Sequence, residues 1–312
     1  MSQPNILVVG STNMDLVVSA QRVPNQGETI IGRDLQTVHG GKGANQAVAC
    51  ARLGARTTML GCVGGDAFGE ELRLGLEREG VDVSHVRVDA EAASGIAMII
   101  VDATGDNSIV VAPGANNLLT VEDVEALAFA ENAYDAVLAQ LEIPLEVIAA
   151  AFRQARAAGA RTILDAGPAR KLPPDLLRHV DVVSPNRSET EAILDMEVGG
   201  DEELGAATRR LQSLGPKEVV LKLGEEGALV TSGQRSTRIP APEISPVDTT
   251  GAGDAFTAAL AVFLAEGKDI VAAARLAACA GALAATVFGA QPSMPGRDAL
   301  QQFAEEQGVP WE

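Results

Sequence analysis

The chain has 312 residues, enough for one large α/β domain or two smaller ones around a substantial core. A formal net charge of −18 excludes nucleic acid and anionic membranes as default partners, so any anionic substrate must be met by local donors. Hydrophobic residues make up 46% and aromatic residues only 3%, which predicts a core of Ala, Val, Leu and Ile.

Ile6-Leu7-Val8-Val9-Gly10 is a short apolar run ending in glycine, the pattern of a buried parallel strand. It begins too close to Met1 to leave room for a signal peptide. Ser11-Thr12-Asn13-Met14-Asp15 follows as a polar loop at the C-terminal end of that strand, the edge at which open α/β sheets hold ligands. Asn13 and Asp15 read equally as ligand contacts or as turn formers. From Leu16 to Val38 apolar and polar residues alternate, broken by Pro24-Asn25 and Gly27, which predicts half-buried strands of a small sheet standing off the main body.

Gly40-Gly41-Lys42-Gly43-Ala44-Asn45-Gln46 opens a helix that continues to Gly54. The spacing is not that of a Walker loop, and Gln46 stands where a G-x-G-x-x-G pattern needs glycine. Three glycines around a lysine and an asparagine suit close backbone contact with a polyhydroxylated molecule, Lys42 and Asn45 donating to its hydroxyls. The plainer alternative is a glycine-rich turn with a solvated lysine. Thr57 to Gly61 reads as a strand, and Gly61 to Gly69 as a loop into a helix ending near Gly80. Ile96–Val101 and Ser108–Val111 form a hairpin that extends the small sheet. The apolar face of that sheet must be covered, and a second copy of the chain is the simplest cover.

From Leu119 onward the pattern alternates: helix 121–130, strand 136–140, helix 145–158, strands 161–165 and 181–184, helix 187–194. This is βαβ architecture with a mainly parallel sheet. Glu142, Asn186 and Glu189 fall just after strand ends. Glu189 is either an ordinary first-turn acid or, with Asn186, a pair that organises hydrated Mg²⁺. Val219 to Gly224 is a further strand, running into a glycine turn that ends at Gly227.

Asp248-Thr249-Thr250-Gly251-Ala252-Gly253-Asp254-Ala255-Phe256 is the most informative stretch. A polar turn with two glycines opens into an apolar helix to about Ala265. The free N–H groups and positive dipole end of that helix can cup an anion. Holding phosphate does not require the carboxylate of Asp254; taking a proton from an attacking hydroxyl does. An N-capped buried helix explains one Asp and one Gly, but not two of each within seven residues. Val271 to Ala290 is apolar yet carries Arg275 and glycines, and reads as a buried helix, not a membrane span. Cys50, Cys62 and Cys279 match no zinc or redox spacing, so buried free thiols in a reducing cytoplasm are expected.

Seven stretches taken together resemble the ribokinase (PfkB) family of carbohydrate kinases, from Ile6 to about Phe303. They are Gly10 to Asp15, Pro24 with Gly27-Glu28-Thr29, Gly40 to Ala47, Gln140-Leu141-Glu142, Ser184-Pro185-Asn186 with Glu189, Asp248 to Phe256, and Gly289-Ala290-Gln291-Pro292-Ser293. The Asp248–Asp254 loop marks the wider superfamily; the first three stretches are more specific.

The resemblance implies one kinase domain over residues 1–312, a doubly wound α/β fold with helices on both faces. It also implies a β lid of about 12–39 and 95–112 that joins two copies into a homodimer. The implied reaction is ATP-dependent phosphorylation of D-ribose at O5. A sibling kinase for deoxyribose, a nucleoside or a hexose, or a non-catalytic sugar-binding protein, are the alternatives. By resemblance Asn13, Asp15, Gly41, Lys42, Asn45, Glu142 and Asp254 contact the sugar, with Asp254 the catalytic base. Asn186, Lys222, Gly224, Gly227, Gly251, Ala252 and Gly253 hold ATP, and Asn186 and Glu189 lie near Mg²⁺ through water. A monovalent cation, K⁺, falls to the side chains of Asp248 and Ser293 and the backbones of Thr250, Ala284, Val287 and Gly289. Two departures stand out: Lys222 replaces the Thr of close relatives, and Ala277-Ala278-Cys279 offers no Asn or His beside an adenine.

Overall fold

Alternation within Asn5–Val9 sets the layers of the molecule: Ile6 and Val8 face one apolar core, Leu7 and Val9 the other. The computed structural model describes residues 3–127, 129–130 and 133–311. Its strands are Asn5–Val9 (β1), Asn13–Ser19 (β2), Leu35–Gly40 (β3), Arg56–Gly64 (β4), Asp82–Asp89 (β5), Gly95–Val101 (β6), Asn107–Ala112 (β7), Ala136–Ala139 (β8), Arg161–Asp165 (β9), Val182–Ser184 (β10), Glu218–Lys222 (β11), Ala228–Ser232 (β12) and Arg235–Ile239 (β13). A 9-stranded sheet has the order β13-β12-β11-β10-β9-β8-β1-β4-β5. Pairing is parallel from β11 across to β5, while β12 and β13 add an antiparallel edge.

Helices Lys42–Arg52, Ala67–Arg78, Ala252–Ala265, Ile270–Ala284 and Arg297–Glu306 cover one face. Helices Leu145–Ala157, Arg187–Leu194 and Asp201–Ser213 cover the other. Helix Ala252–Ala265 is buried all round from Asp254 to Leu264, as its unbroken apolar sequence requires. Strand order reverses at β1, flanked by β8 and β4. The polar residues that follow β1, β8, β9 and β10 therefore share one edge, beside the point where open α/β sheets take ligands.

A 4-stranded sheet of order β3-β2-β6-β7 stands apart. Asp15 pairs with Ala97, and Ala97 with Val111, while Val17 pairs with Ile99 and Ile99 with Ile109, so these side chains share one face. Ile109, Val111, Met98, Val110 and Leu35 are all exposed, the last two at 63% and 66%.

The structure corrects several expected boundaries. The predicted helix 121–130 starts at a capping box formed by Thr120 and Asp123 but ends at Glu125, and residue 128 lies outside the described residues. The predicted helix to Ala290 stops at Ala284, where the chain turns into the segment carrying Gly289. β4 runs on to Gly64 through residues expected to be loop, and residues 20–34 form no strand. No helix among the described residues is long and apolar enough to cross a membrane.

Candidate active site

The glycine loop reaches the sheet edge because its backbone packs directly on β2. Gly41 has φ 88°, and a Cβ there would lie 2.7 Å from Asn13 N and from Thr12 Cα. Helix Lys42–Arg52 therefore begins beside Asn13 and Asp15. Glu142, just past β8, accepts from Ser11 Oγ and, at 3.2 Å, from Lys42 N, which ties that start to the loop after β1. Asn13 is buried, and its Oδ1 accepts from Asn116 Nδ2 at 2.8 Å, while its own side-chain N–H groups meet no acceptor among the described residues. Asn116 is held in turn by Thr12 N at 2.9 Å and Thr12 O at 3.1 Å.

Asp254 is 4% exposed and surrounded by donors. Asn45 Nδ2 reaches its Oδ2 at 2.9 Å; Gln46 Nε2 and Lys42 Nζ reach its Oδ1 at 3.0 and 3.5 Å. Asn45 thus directs one N–H to the carboxylate, and its buried Oδ1 has no partner among the described residues. The second N–H of Asn45 Nδ2 is compatible with the expected donation to a ligand. Asp254 sits in the first turn of helix Ala252–Ala265, where Ala255 N makes the first i→i−4 bond, to Gly251 O at 2.8 Å. The N–H groups of Gly253 and Asp254 meet no protein acceptor among the described residues, which is the arrangement an anion needs. Gly251 has φ 80°, and a Cβ would lie 2.8 Å from Met294 Cε and 3.1 Å from Ala290 Cα. The anion loop is thereby packed on the segment that carries Gly289 and Ser293.

Asp248 fastens the same two segments together. Its carboxylate accepts from Thr250 N and Gly289 N, both at 2.9 Å, and these bonds hold it below the usual carboxylate range despite partial burial. Val247 N and Asp248 N donate to Ala285 O at 2.8 and 3.2 Å, and Ser293 Oγ to Ala290 O at 2.7 Å. Ala284, Val287, Gly289, Ser293 and Thr250 are thus gathered around one turn. Asn186 and Glu189 form a reciprocal cap: Glu189 N donates to Asn186 Oδ1 at 2.8 Å, and Asn186 N to Glu189 Oε2 at 2.7 Å. Glu189 is nevertheless buried beside the site, since a Cβ on Gly167 would meet Glu189 Oε1, Lys42 Cε and Asp165 Oδ1. Burial, the largest effect, and the charge of Asp165 push its carboxyl up, against the pull of Lys222. Gly224 and Gly227 close the turn after β11, Gly227 N donating to Gly224 O at 3.0 Å.

Residues 3–297 match the family described as pfkB family carbohydrate kinase. Over 300 residues the chain is 42% identical to the ribokinase of Bacillus subtilis, covering 96% of this chain and 99% of that protein. It is 34% identical to a deoxyribokinase of Salmonella typhi over 302 residues, covering 96% of this chain and 98% of that one. The solved structure of Arabidopsis thaliana ribokinase complexed with ribose and ATP is similar to it at TM-score 0.89 and 36% identity, over 97% of this chain and 99% of that one. The chain belongs to the pfkB family of carbohydrate kinases.

The kinase is an ATP-dependent sugar phosphotransferase, and its charges are arranged accordingly. Lys42 is held firmly protonated, first by Asp254 and then by Asp165, Glu142 and Glu189, which together outweigh its burial. Asp15 shows the opposite behaviour: burial, then Glu142 and Asp254, raise it from 3.8 to about 7. Sequence reasoning passed over Asp165, the fully buried last residue of β9. Its Oδ2 accepts from Thr257 Oγ1 at 2.8 Å, Gln46 Nε2 at 3.0 Å and Lys222 Nζ at 3.1 Å, and its Oδ1 from Gly167 N at 3.1 Å. The signal was present, because Asp165 ends a parallel strand as Glu142 and Asn186 follow theirs. Asn116 had no such signal. Lys222 is paired with Asp165 and lies 3.3 Å from Thr257 Oγ1, near Gly253.

Proposed function

We propose that the kinase transfers the γ-phosphoryl group of ATP to O5 of D-ribose. The observation that carries this reading is Asp254, a buried carboxylate aimed by three donors at the mouth of a helix whose first N–H groups are open. A primary hydroxyl placed there loses its proton to Asp254 as it attacks the γ-phosphorus in line. The helix N-terminus and Lys42 take up the charge of the transferring group. Asn13, Asp15, Gly41, Asn45 and Glu142 orient the sugar. Gly251, Ala252 and Gly253, with Asn186, Lys222, Gly224 and Gly227, line the nucleotide side. Release of ADP measured across ribose, deoxyribose, fructose and adenosine tests the assignment, since a site that hydrogen-bonds one hydroxyl rejects analogues lacking it. Faster turnover of any other member of that panel moves the assignment to that sugar.

The pair of Asn186 and the carboxylate of Glu189 would suit Mg²⁺ held through water, an ion that supplies charge neutralisation on the phosphates. The oxygen set of Asp248, Ser293 and the backbones of Thr250, Ala284, Val287 and Gly289 suits K⁺, which supplies a fixed positive charge under the anion loop. Activity is expected to be well above background in K⁺ and lower in Na⁺ or a bulky organic cation at matched ionic strength. Equal rates in the three salts remove the ion from this account. Residues 1–312 are read as one domain, with 12–39 and 95–112 as a lid, and buried Cys50, Cys62 and Cys279 suit a reducing cytoplasm. The exposed apolar residues of the small sheet support a homodimer joined there. Sedimentation at assay concentrations is expected to give the dimer mass; a fully active monomer overturns it.

Asp15 makes sugar binding pH-dependent. Its carboxyl titrates at about 7 in the free protein, so below that pH it holds a proton. Sugar hydroxyls donating to it favour the ionised form, and binding in acid must therefore expel that proton. The Kd for ribose is expected to rise as pH falls below about 7, approaching a limit of about tenfold per pH unit. Asp15→Asn should bind more weakly with a flatter profile. Calorimetry from pH 8 to 6 measures both, and parallel slopes assign the effect to another group.

A further inference from the structure

Three fully buried side chains connect the base to the rest of the sheet edge: Gln46, Gln140 and Asp165 are each 0% exposed. Gln46 lies between two carboxylates. Its Nε2 carries two hydrogens and stands 3.0 Å from Asp254 Oδ1 and 3.0 Å from Asp165 Oδ2, one hydrogen for each. A neutral amide suits this position for a physical reason. With Lys42 already on Asp254 Oδ1, a second cation here would hold the carboxylate still more firmly in its charged form, while a carboxyl would add a third negative charge. The amide fixes the carboxylate plane and adds no charge.

An amide performs this task in only one of its two orientations. Turned over, Gln46 would present Oε1 to two carboxylates. Gln140 Nε2 donates to Gln46 Oε1 at 2.6 Å and so selects the correct orientation. Gln140 Oε1 has no partner among the described residues, and it packs so closely on Gly10 that a Cβ there would lie 2.1 Å from it. A buried unpartnered oxygen is costly, and its presence is accounted for if the opposite end of the amide has a role. With Gln46 and Lys42 on Oδ1 and only Asn45 on Oδ2, Oδ2 is the less encumbered oxygen of Asp254.

We infer that Gln46 is a positioning residue that aims Asp254 for proton transfer, and that Gln140 sets its amide orientation. This rests on the reading of Asp254 as the base. Misplacing a reacting group by about an ångström costs up to roughly 10²-fold, so Gln46→Met should lower kcat by about tenfold or more. KM for ribose and for ATP should stay within about twofold. The acid limb of the kcat profile should move to higher pH, because the carboxylate loses a donor. Gln140→Met should act in the same direction and more weakly, and because it removes one unpartnered oxygen while leaving Gln46 Oε1 without its donor, thermal melting should change little.

The test measures kcat, both KM values and pH profiles for each variant, alone and combined with Asp254→Asn. If Gln46 acts through Asp254, neither substitution slows the Asp254→Asn enzyme further. A loss that persists in that background, or an unmoved acid limb, overturns the inference while leaving the base in place. An Asp254→Asn enzyme with normal turnover overturns both the inference and the base. Should Gln46→Met fail to fold, Gln140→Met decides: an unchanged kcat and acid limb in that folded variant overturns the proposal.

Discussion

Asp254→Asn is expected to lower kcat by at least about 10²-fold while the protein stays folded and binds ATP. A primary hydroxyl is a poor nucleophile near neutrality, and a placed base typically contributes 10²- to 10⁴-fold. The substitution keeps size and shape but removes the carboxylate that accepts the proton. Asp254 is surrounded by donors, so the amide introduced there brings an N–H against Asn45 or Gln46. Asn45 can relieve this contact, because its buried Oδ1 has no partner among the described residues and an amide flip turns it toward the new N–H. The open N–H groups at the helix start remain, and one negative charge beside the phosphates is gone, so ATP affinity should hold or rise. Turnover, thermal melting and ATP calorimetry together check the result. A folded variant with near-normal turnover reduces Asp254 to a helix-start residue and removes the proposed mechanism.

Lys222→Met is expected to destabilise the protein at neutral pH by roughly 3–5 kcal/mol, the usual cost of leaving a buried charge without its partner. Asp165 is 1% exposed at the side chain and Lys222 12%, so solvent screens the pair very little. Burial alone would raise Asp165; Lys222 foremost, then Lys42, hold it below the ordinary carboxylate range. In the unsubstituted chain that stabilisation is present above the unfolded value near 3.8 and is lost as pH falls through the lower folded value. Without Lys222 the folded carboxyl titrates higher, so the deficit should be largest at pH 7 and shrink toward pH 5 as Asp165 takes up a proton. Asp165→Asn in the same chain should recover much of the loss. Urea midpoints at both pH values and one protein concentration measure this. A deficit that does not change with pH, or no recovery in the double variant, means the pair is not the source of the stability.

What the amino-acid sequence determined by itself lies within short windows. Alternation over Asn5–Val9 and the glycine turns before Lys42 and Asp254 are local backbone facts: period, φ preference and helix ends follow from neighbouring residues. The helix start at Asp248–Asp254 and the glycine loop were legible on those grounds, as were Glu142 and Asn186 after strand ends, whereas Asn13 and Asp15, expected in a loop, begin β2. β5 and the β12–β13 edge were not. Asp82–Asp89 mixes charges with apolar residues over 8 positions, and the edge hairpin is short and half-exposed. The tertiary structure alone decided how the polar side chains pair. Gln46 lies 119 residues from Asp165 and 208 from Asp254, and Asn116 lies 103 from Asn13. Those meetings depend on strand order, which places β9 beside β8 and β8 beside β1, and periodicity does not encode order. Lys222 shows the difference most directly: the resemblance placed it on the ATP side, and only the neighbouring strands revealed the buried aspartate that pairs with it.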